Sequence, residues 1–166
     1  MKNIIGALLL GGILLLQSAC GEKQAGAVST TTAGQDSVLV ATPEVAVWTE
    51  KIKASPRDTA LYVARYKALT DAELHELAAE DAKMLISLDS TKVSYYRMLS
   101  NAYFEAADSR QAIKIMQKAS ERFDKDIYTR LALAEMHLVV QEYEQSRIVL
   151  DNILKLEPFN ASARFM

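Results

Sequence analysis

The chain of 166 residues holds one cysteine, two histidines, three prolines and one tryptophan. Each scarcity excludes something. A lone cysteine, Cys20, has no internal partner, so no disulfide framework staples the fold and packing must hold it. His75 and His137 stand in no catalytic constellation; His75-Glu76 begins like a zinc-protease motif, but its second histidine would have to be at Ala79. Two histidines do not supply a metal centre, so neither metal nor other cofactor is expected. The six glycines form no phosphate-binding loop and no Ser/His/Asp arrangement can be assembled, so an enzyme is not expected. The 19 basic and 21 acidic residues form no block of one sign, so the chain lacks the electrostatic footprint of a nucleic-acid binder.

Long hydrophobic runs are also scarce. The one present, Ile4 to Leu16, is thirteen residues broken only by glycines. As a helix it spans about 20 Å, against roughly 30 Å of bilayer hydrocarbon. With Lys2 ahead of it, the run reads as a secretory signal over residues 1–19. Directly after it, Ser18-Ala19-Cys20-Gly21 resembles the lipobox of bacterial lipoproteins, in which the cysteine is lipidated and becomes the new N-terminus. Gln17 departs from that pattern, which has an aliphatic residue there. Two other readings stay open: a cut at Ala25-Gly26-Ala27, or Cys20 as a free or intermolecular thiol. Residues 20–42 are rich in Ser, Thr, Gly, Ala and Gln and read as a flexible tether. As a coil, its r.m.s. span is about 25 Å. The lipobox resemblance implies a location in the bacterial cell envelope, anchored to a membrane through Cys20.

From Pro43 onward the apolar spacing is helical throughout. Three turns, Asp89 to Lys92, Phe123 to Asp126 and Glu157 to Asn160, follow one another at a spacing of 34, and Ser55 to Asp58 sits in the same phase. A fixed period of this size is the mark of a helical repeat array. Thr42-Pro43 predicts a helix start running through about Ala54, and Ser55-Pro56 predicts the next start. Thr70 with Glu73, and Asp108 with Gln111, predict capping boxes that divide each unit into two helices.

The unit 93–126 carries the clearest pattern. Tyr96, Leu99, Ser100 and Tyr103 share one face of its first helix, and Ala112, Met116 and Ala119 line its second. Small residues at Ser100 and Ala112 permit the closest approach of the two helices. In the unit 127–160, Leu133, Ala134 and His137 recur at the first set of positions, and Ser146, Leu150 and Ile153 at the second; Arg130 stands where the first aromatic is expected. The unit 59–92 keeps Leu69 and Ala78, but Arg65 and Tyr66 replace the apolar–small pair. This spacing of small and large residues resembles the tetratricopeptide repeat. The resemblance implies an all-α fold, a right-handed superhelical array of antiparallel helix pairs with about three repeats, over residues 43–166.

It also implies a binding function. In that family the first helices of successive repeats line a concave groove that accepts peptides. The phase places Arg97, Asn101 and Phe104 there from one repeat, and Tyr128, Leu131, Glu135 and Leu138 from the next. Arg97 and Asn101 suit a carboxylate or a peptide backbone, and Phe104 an apolar group. The alternative is that Leu131 and Leu138 are core and Phe104 packs on its neighbour. The set does not reproduce the carboxylate clamp of the chaperone-binding members. The expected role is therefore a membrane-tethered scaffold for protein or peptide partners. The six residues Ala161 to Met166 start a further helix too short to cap the array, which leaves Leu150, Ile153 and Leu154 uncovered. Two expectations follow: self-association through that C-terminal helix face, or a chain that is the N-terminal part of a larger receptor or envelope enzyme.

Overall fold

The computed structural model describes residues 42–166. The signal segment, Cys20 and the tether up to residue 41 lie outside the described residues. Eight helices follow in order: α1 (Pro43–Ala54), α2 (Thr59–Asp71), α3 (His75–Leu88), α4 (Val93–Glu105), α5 (Ser109–Arg122), α6 (Ile127–Val139), α7 (Tyr143–Leu156) and α8 (Ala161–Phe165). No strand occurs among the described residues. Each helix packs chiefly on its neighbours in sequence, which is the contact pattern of a solenoid of antiparallel helix pairs.

The pairs α2–α3, α4–α5 and α6–α7 are separated by the turns that the period of 34 marked. Asp58 closes the first turn and caps α2, its carboxylate accepting from the Ala60 N–H at 2.9 Å. Asp89 accepts from the Thr91 N–H at 2.9 Å, and Asn160 caps α8 through the Ala163 N–H, also at 2.9 Å. Ser55-Pro56 does not start a helix as expected. Ser55 is the residue that ends α1, and its N–H still bonds to the Lys51 and Ile52 carbonyls.

Inside each pair the chain turns on a residue with positive φ: Glu73 (58°), Ala107 (61°) and Gln141 (64°), again 34 apart. The next N–H reaches back five residues: Leu74 to the Leu69 carbonyl at 2.9 Å, Asp108 to Tyr103 at 2.8 Å, and Glu142 to His137 at 2.8 Å. This is the helix-ending motif that glycine normally serves. No glycine occurs after Gly34, so each turn holds a side chain in the left-handed region, at a cost of about 1–2 kcal/mol. Asp108 caps α5 as expected, accepting from the Gln111 N–H at 3.1 Å. The Thr70–Glu73 capping box does not form. Thr70 lies inside α2, its hydroxyl donating back to the Lys67 carbonyl at 2.8 Å, and Glu73 is the left-handed turn residue.

The interior runs along the array. Val45, Leu69, Ala78, Ala82 and Leu99 form one buried cluster, and Ala112, Met116, Leu133 and Met136 another. Ser100 and Ala112 are both fully buried, and the Ser100 hydroxyl donates to the Ala112 carbonyl at 2.7 Å. The tight approach inferred from small side chains is thus also a hydrogen-bonded one. In the first pair, Arg65 forms a two-pronged contact with buried Asp81, at 2.9 and 2.5 Å, and reaches Thr49 of α1 at 3.2 Å. Burial raises the Asp81 carboxyl above its ordinary range, against the pull of Arg65. Tyr66 turns its hydroxyl toward α4, donating to the Met98 carbonyl at 2.8 Å, and burial, then Glu105, pushes its pKa up to about 12.

The ends differ from the middle. Val45 and Ile52 of α1 are buried, whereas Glu44 is exposed at the repeat position that Ala78 and Ala112 fill. A polar residue there suits a capping helix. At the other end α8 does pack on α7, contrary to expectation: Ala163 is buried and Ile153 is fully covered. Leu150 and Leu154 are half-buried, while Leu156 remains exposed.

Candidate functional site

The first helices of successive pairs place equivalent residues 34 apart. Arg97 and Leu131, Asn101 and Glu135, and Phe104 and Leu138 are such pairs on α4 and α6. Asn101 and Glu135 are exposed, and Phe104, Leu131 and Leu138 are half-buried. Three of the seven expected residues meet in one cleft. Asn101 and Phe104 from α4 and Glu135 from α6 line a space of about 200 Å³ together with Ala132, Met136 and Val139.

The cleft is built from core outward. Ser100 and Ala112 bring α4 and α5 together, and Met136 sits against them with its sulfur 3.5 Å from the Ser100 hydroxyl. Phe104 packs on the same cluster, so it serves the core and the cleft wall at once. Val139 stands at the rim, 62% exposed. Ala132, Met136 and Val139 were not among the residues expected there. Their signal was available in the helical spacing, since Ala132 and Met136 are i−3 and i+1 neighbours of Glu135, but apolar residues at that spacing read equally as core. Chemically the cleft offers an amide that donates and accepts, a carboxylate, and apolar walls. That combination suits an extended backbone with a small apolar side chain.

The other expected residues are elsewhere. Tyr128, 76% exposed, and Leu131 line a second depression between α6 and α8 with Asp126, Glu157, Asn160 and Ser162. Leu138 lines neither space. Arg97 is already paired: its guanidinium lies 3.1 Å from the Asp126 carboxylate, which also accepts the Thr129 hydroxyl. It braces α4 against the turn before α6. His137 is buried, and its Nδ1 lies 2.7 Å from a Glu142 carboxylate oxygen across the left-handed turn, as suits a packed structural histidine. Among the described residues no cluster of His, Cys, Asp and Glu could hold a metal, and no helix is long and apolar enough to cross a membrane.

No protein-family model matches the sequence, and no curated protein matches it. Solved structures do match. MamA from Desulfovibrio magneticus RS-1, from its residue 41 to the end, superposes with a TM-score of 0.60 at 17% identity, over 70% of this chain and 66% of that one. A second MamA crystal structure gives 0.58 at 21% identity, over 70% and 68%. The TPR domain of Arabidopsis OM64 gives 0.53 at 20% identity, over 64% of this chain and 88% of that domain. About a third of the first MamA chain thus has no counterpart in the match. Identities this low speak to architecture alone, and the architecture is the tetratricopeptide-repeat fold, an α-solenoid of antiparallel helix pairs.

Proposed function

We propose that this protein is a lipid-anchored scaffold of the bacterial envelope that holds an extended segment of a protein partner against α4 and α6. One observation carries the reading: Asn101, Phe104, Glu135 and Val139 converge from two successive first helices on a single cleft, with apolar walls and polar groups at its edge. The fold supports it, because solenoids of this kind present long surfaces rather than enclosed reaction chambers. Cys20 after its apolar run supplies the anchor, and the tether supplies reach. The mechanism is passive: the lipid fixes location and the cleft raises the local concentration of the bound segment.

Two measurements test the parts separately. Cys20→Ala should move the protein from the membrane to the soluble fraction; unchanged membrane association refutes the anchor. A photocrosslinker at Asn101 should capture discrete partners in intact cells, and Val139→Lys with Glu135→Lys should abolish capture while leaving circular dichroism intact. An identical capture pattern from that double variant overturns the cleft assignment.

A further inference from the structure

Repeat positions 62, 96 and 130 are equivalent, and the first two are tyrosines. Both are buried, 6% and 5% exposed, and both hold the same seat. The Tyr62 hydroxyl donates to the carbonyl of Pro56, six residues back, at 3.0 Å; the Tyr96 hydroxyl donates to that of Ser90, also six back, at 3.4 Å. The Tyr62 ring packs among Ile52, Leu85 and Leu88. Tyr96 meets Phe123 edge-on, ring centres 5.4 Å apart.

The third repeat lacks the ring. Arg130 is in its place, half-buried, with no hydrogen bond or ion pair among the described residues. The wall has also been cut back: Ser120 occupies the position of Ile52 and Ile86. What remains is a cleft of about 570 Å³ between the end of α5 and the α6–α7 pair, floored by Leu133, Val149 and Leu156 and edged by Arg130, Asp124 and Lys155. Leu156, equivalent to half-buried Leu88, is 60% exposed. The Asp124 carbonyl, equivalent to those of Pro56 and Ser90, receives no tyrosine hydroxyl among the described residues.

We infer that this cleft is a second binding site, on a different face of α6 from Glu135, and that it takes a tyrosine side chain presented by a partner protein. The chain itself places a tyrosine at this repeat position twice, and the equivalents of two of its neighbours, Ser120 and Leu156, line the cleft. A ring there would cover the three apolar residues, reach the Asp124 carbonyl with its hydroxyl, and lie beside the Arg130 guanidinium, which attracts the face of an aromatic ring. Tyr to Arg removes the internal ring and Ile to Ser shortens the wall, and an external ring requires both.

The test is methyl NMR on the full-length chain, titrated with N-acetyltyrosinamide and, as control, N-acetylalaninamide. Tyrosinamide should shift the methyls of Leu133, Val149 and Leu156 saturably in the millimolar range, at least tenfold more tightly than alaninamide. Arg130→Tyr fills the seat internally and should abolish the shifts; Ser120→Ile narrows it and should weaken binding at least fivefold. Shifts that never saturate, that equal those of alaninamide, that persist in both variants, or that appear only at Val139 and Met136 of the other cleft overturn the proposal.

Discussion

The first and second repeats answer one packing problem with opposite chemistry. Where α4 and α5 face each other with Leu99 and Ile115, the equivalent positions of α2 and α3 hold Arg65 and Asp81. Leu133 and Val149 keep the apolar version in the third repeat. The ion pair is nearly dry, with side-chain exposures of 14% and 3%. Taking both charges from water costs several kcal/mol each, which the two-pronged contact and Thr49 must offset. A repeat position therefore constrains volume and partnership rather than hydrophobicity, provided both partners change together. The ionic version does one thing the apolar version cannot: the guanidinium also ties α1 to the array through Thr49.

Breaking that pair on one side should give the largest effect. Asp81→Ala leaves Arg65 buried without its carboxylate, and chemical denaturation should show a loss of about 3–5 kcal/mol. Converting the first repeat to the second, Arg65→Leu with Asp81→Ile, should instead be neutral or gain about 1–4 kcal/mol. Non-additivity between the double variant and its single components would measure the coupling. The pH dependence sharpens the comparison. Because burial raises the Asp81 pKa in the folded state, the native state binds the extra proton between the unfolded and folded values. The group's penalty is therefore fully present above the folded pKa and relieved as pH falls through it. Denaturation midpoints of the wild type and the Leu/Ile variant should converge on acidification across that window.

Smaller effects test the turns and the close approach. Ala107→Gly relieves a left-handed residue whose turn is otherwise identical in all three repeats, and should raise stability by about 1 kcal/mol. Gln141→Gly should do the same, and a loss at either site would show that the turn is not under strain. The smallest effect compares two buried hydroxyls at one helix contact. Ser100 donates to Ala112, whereas Ser146, at the position of Ala112 in the next repeat, has no hydrogen-bond partner among the described residues. Ser100→Ala should cost about 1 kcal/mol and Ser146→Ala should cost nothing or stabilise slightly, read as a difference in thermal midpoint.

Much of the array was legible because it repeats. The turns 89–92, 123–126 and 157–160 fell where the period placed them, and Ser100, Ala112, Met116 and Leu133 are buried as their spacing implied. The turns within pairs were legible only in part: Asp108 with Gln111 marked the start of α5, but the left-handed residues carried no mark. The glycine that would have announced a left-handed residue at positions 73, 107 and 141 is absent. Thr70-x-x-Glu73 misled for the same reason: a capping pattern is local, and the five-residue-back bond from Leu74 to Leu69 overrode it. Arg65 looked like decay of the pattern because its partner lies 16 residues away on another helix. Of the groove residues, Asn101, Phe104 and Glu135 could be placed on one face by phase, but not the pairing of Arg97 with Asp126.

The sequence by itself determined the period, the number of helix pairs and the small residues at which the helices meet, since these depend on spacing along one chain and on side-chain volume. Only the tertiary structure decided which polar groups are satisfied and which spaces stay open. Whether Arg65 is buried with a carboxylate, Arg97 is already bound, or Arg130 edges a cleft with no ion pair among the described residues depends on what the neighbouring helix presents. That is set by packing between repeats, and the residue type alone carries no record of it.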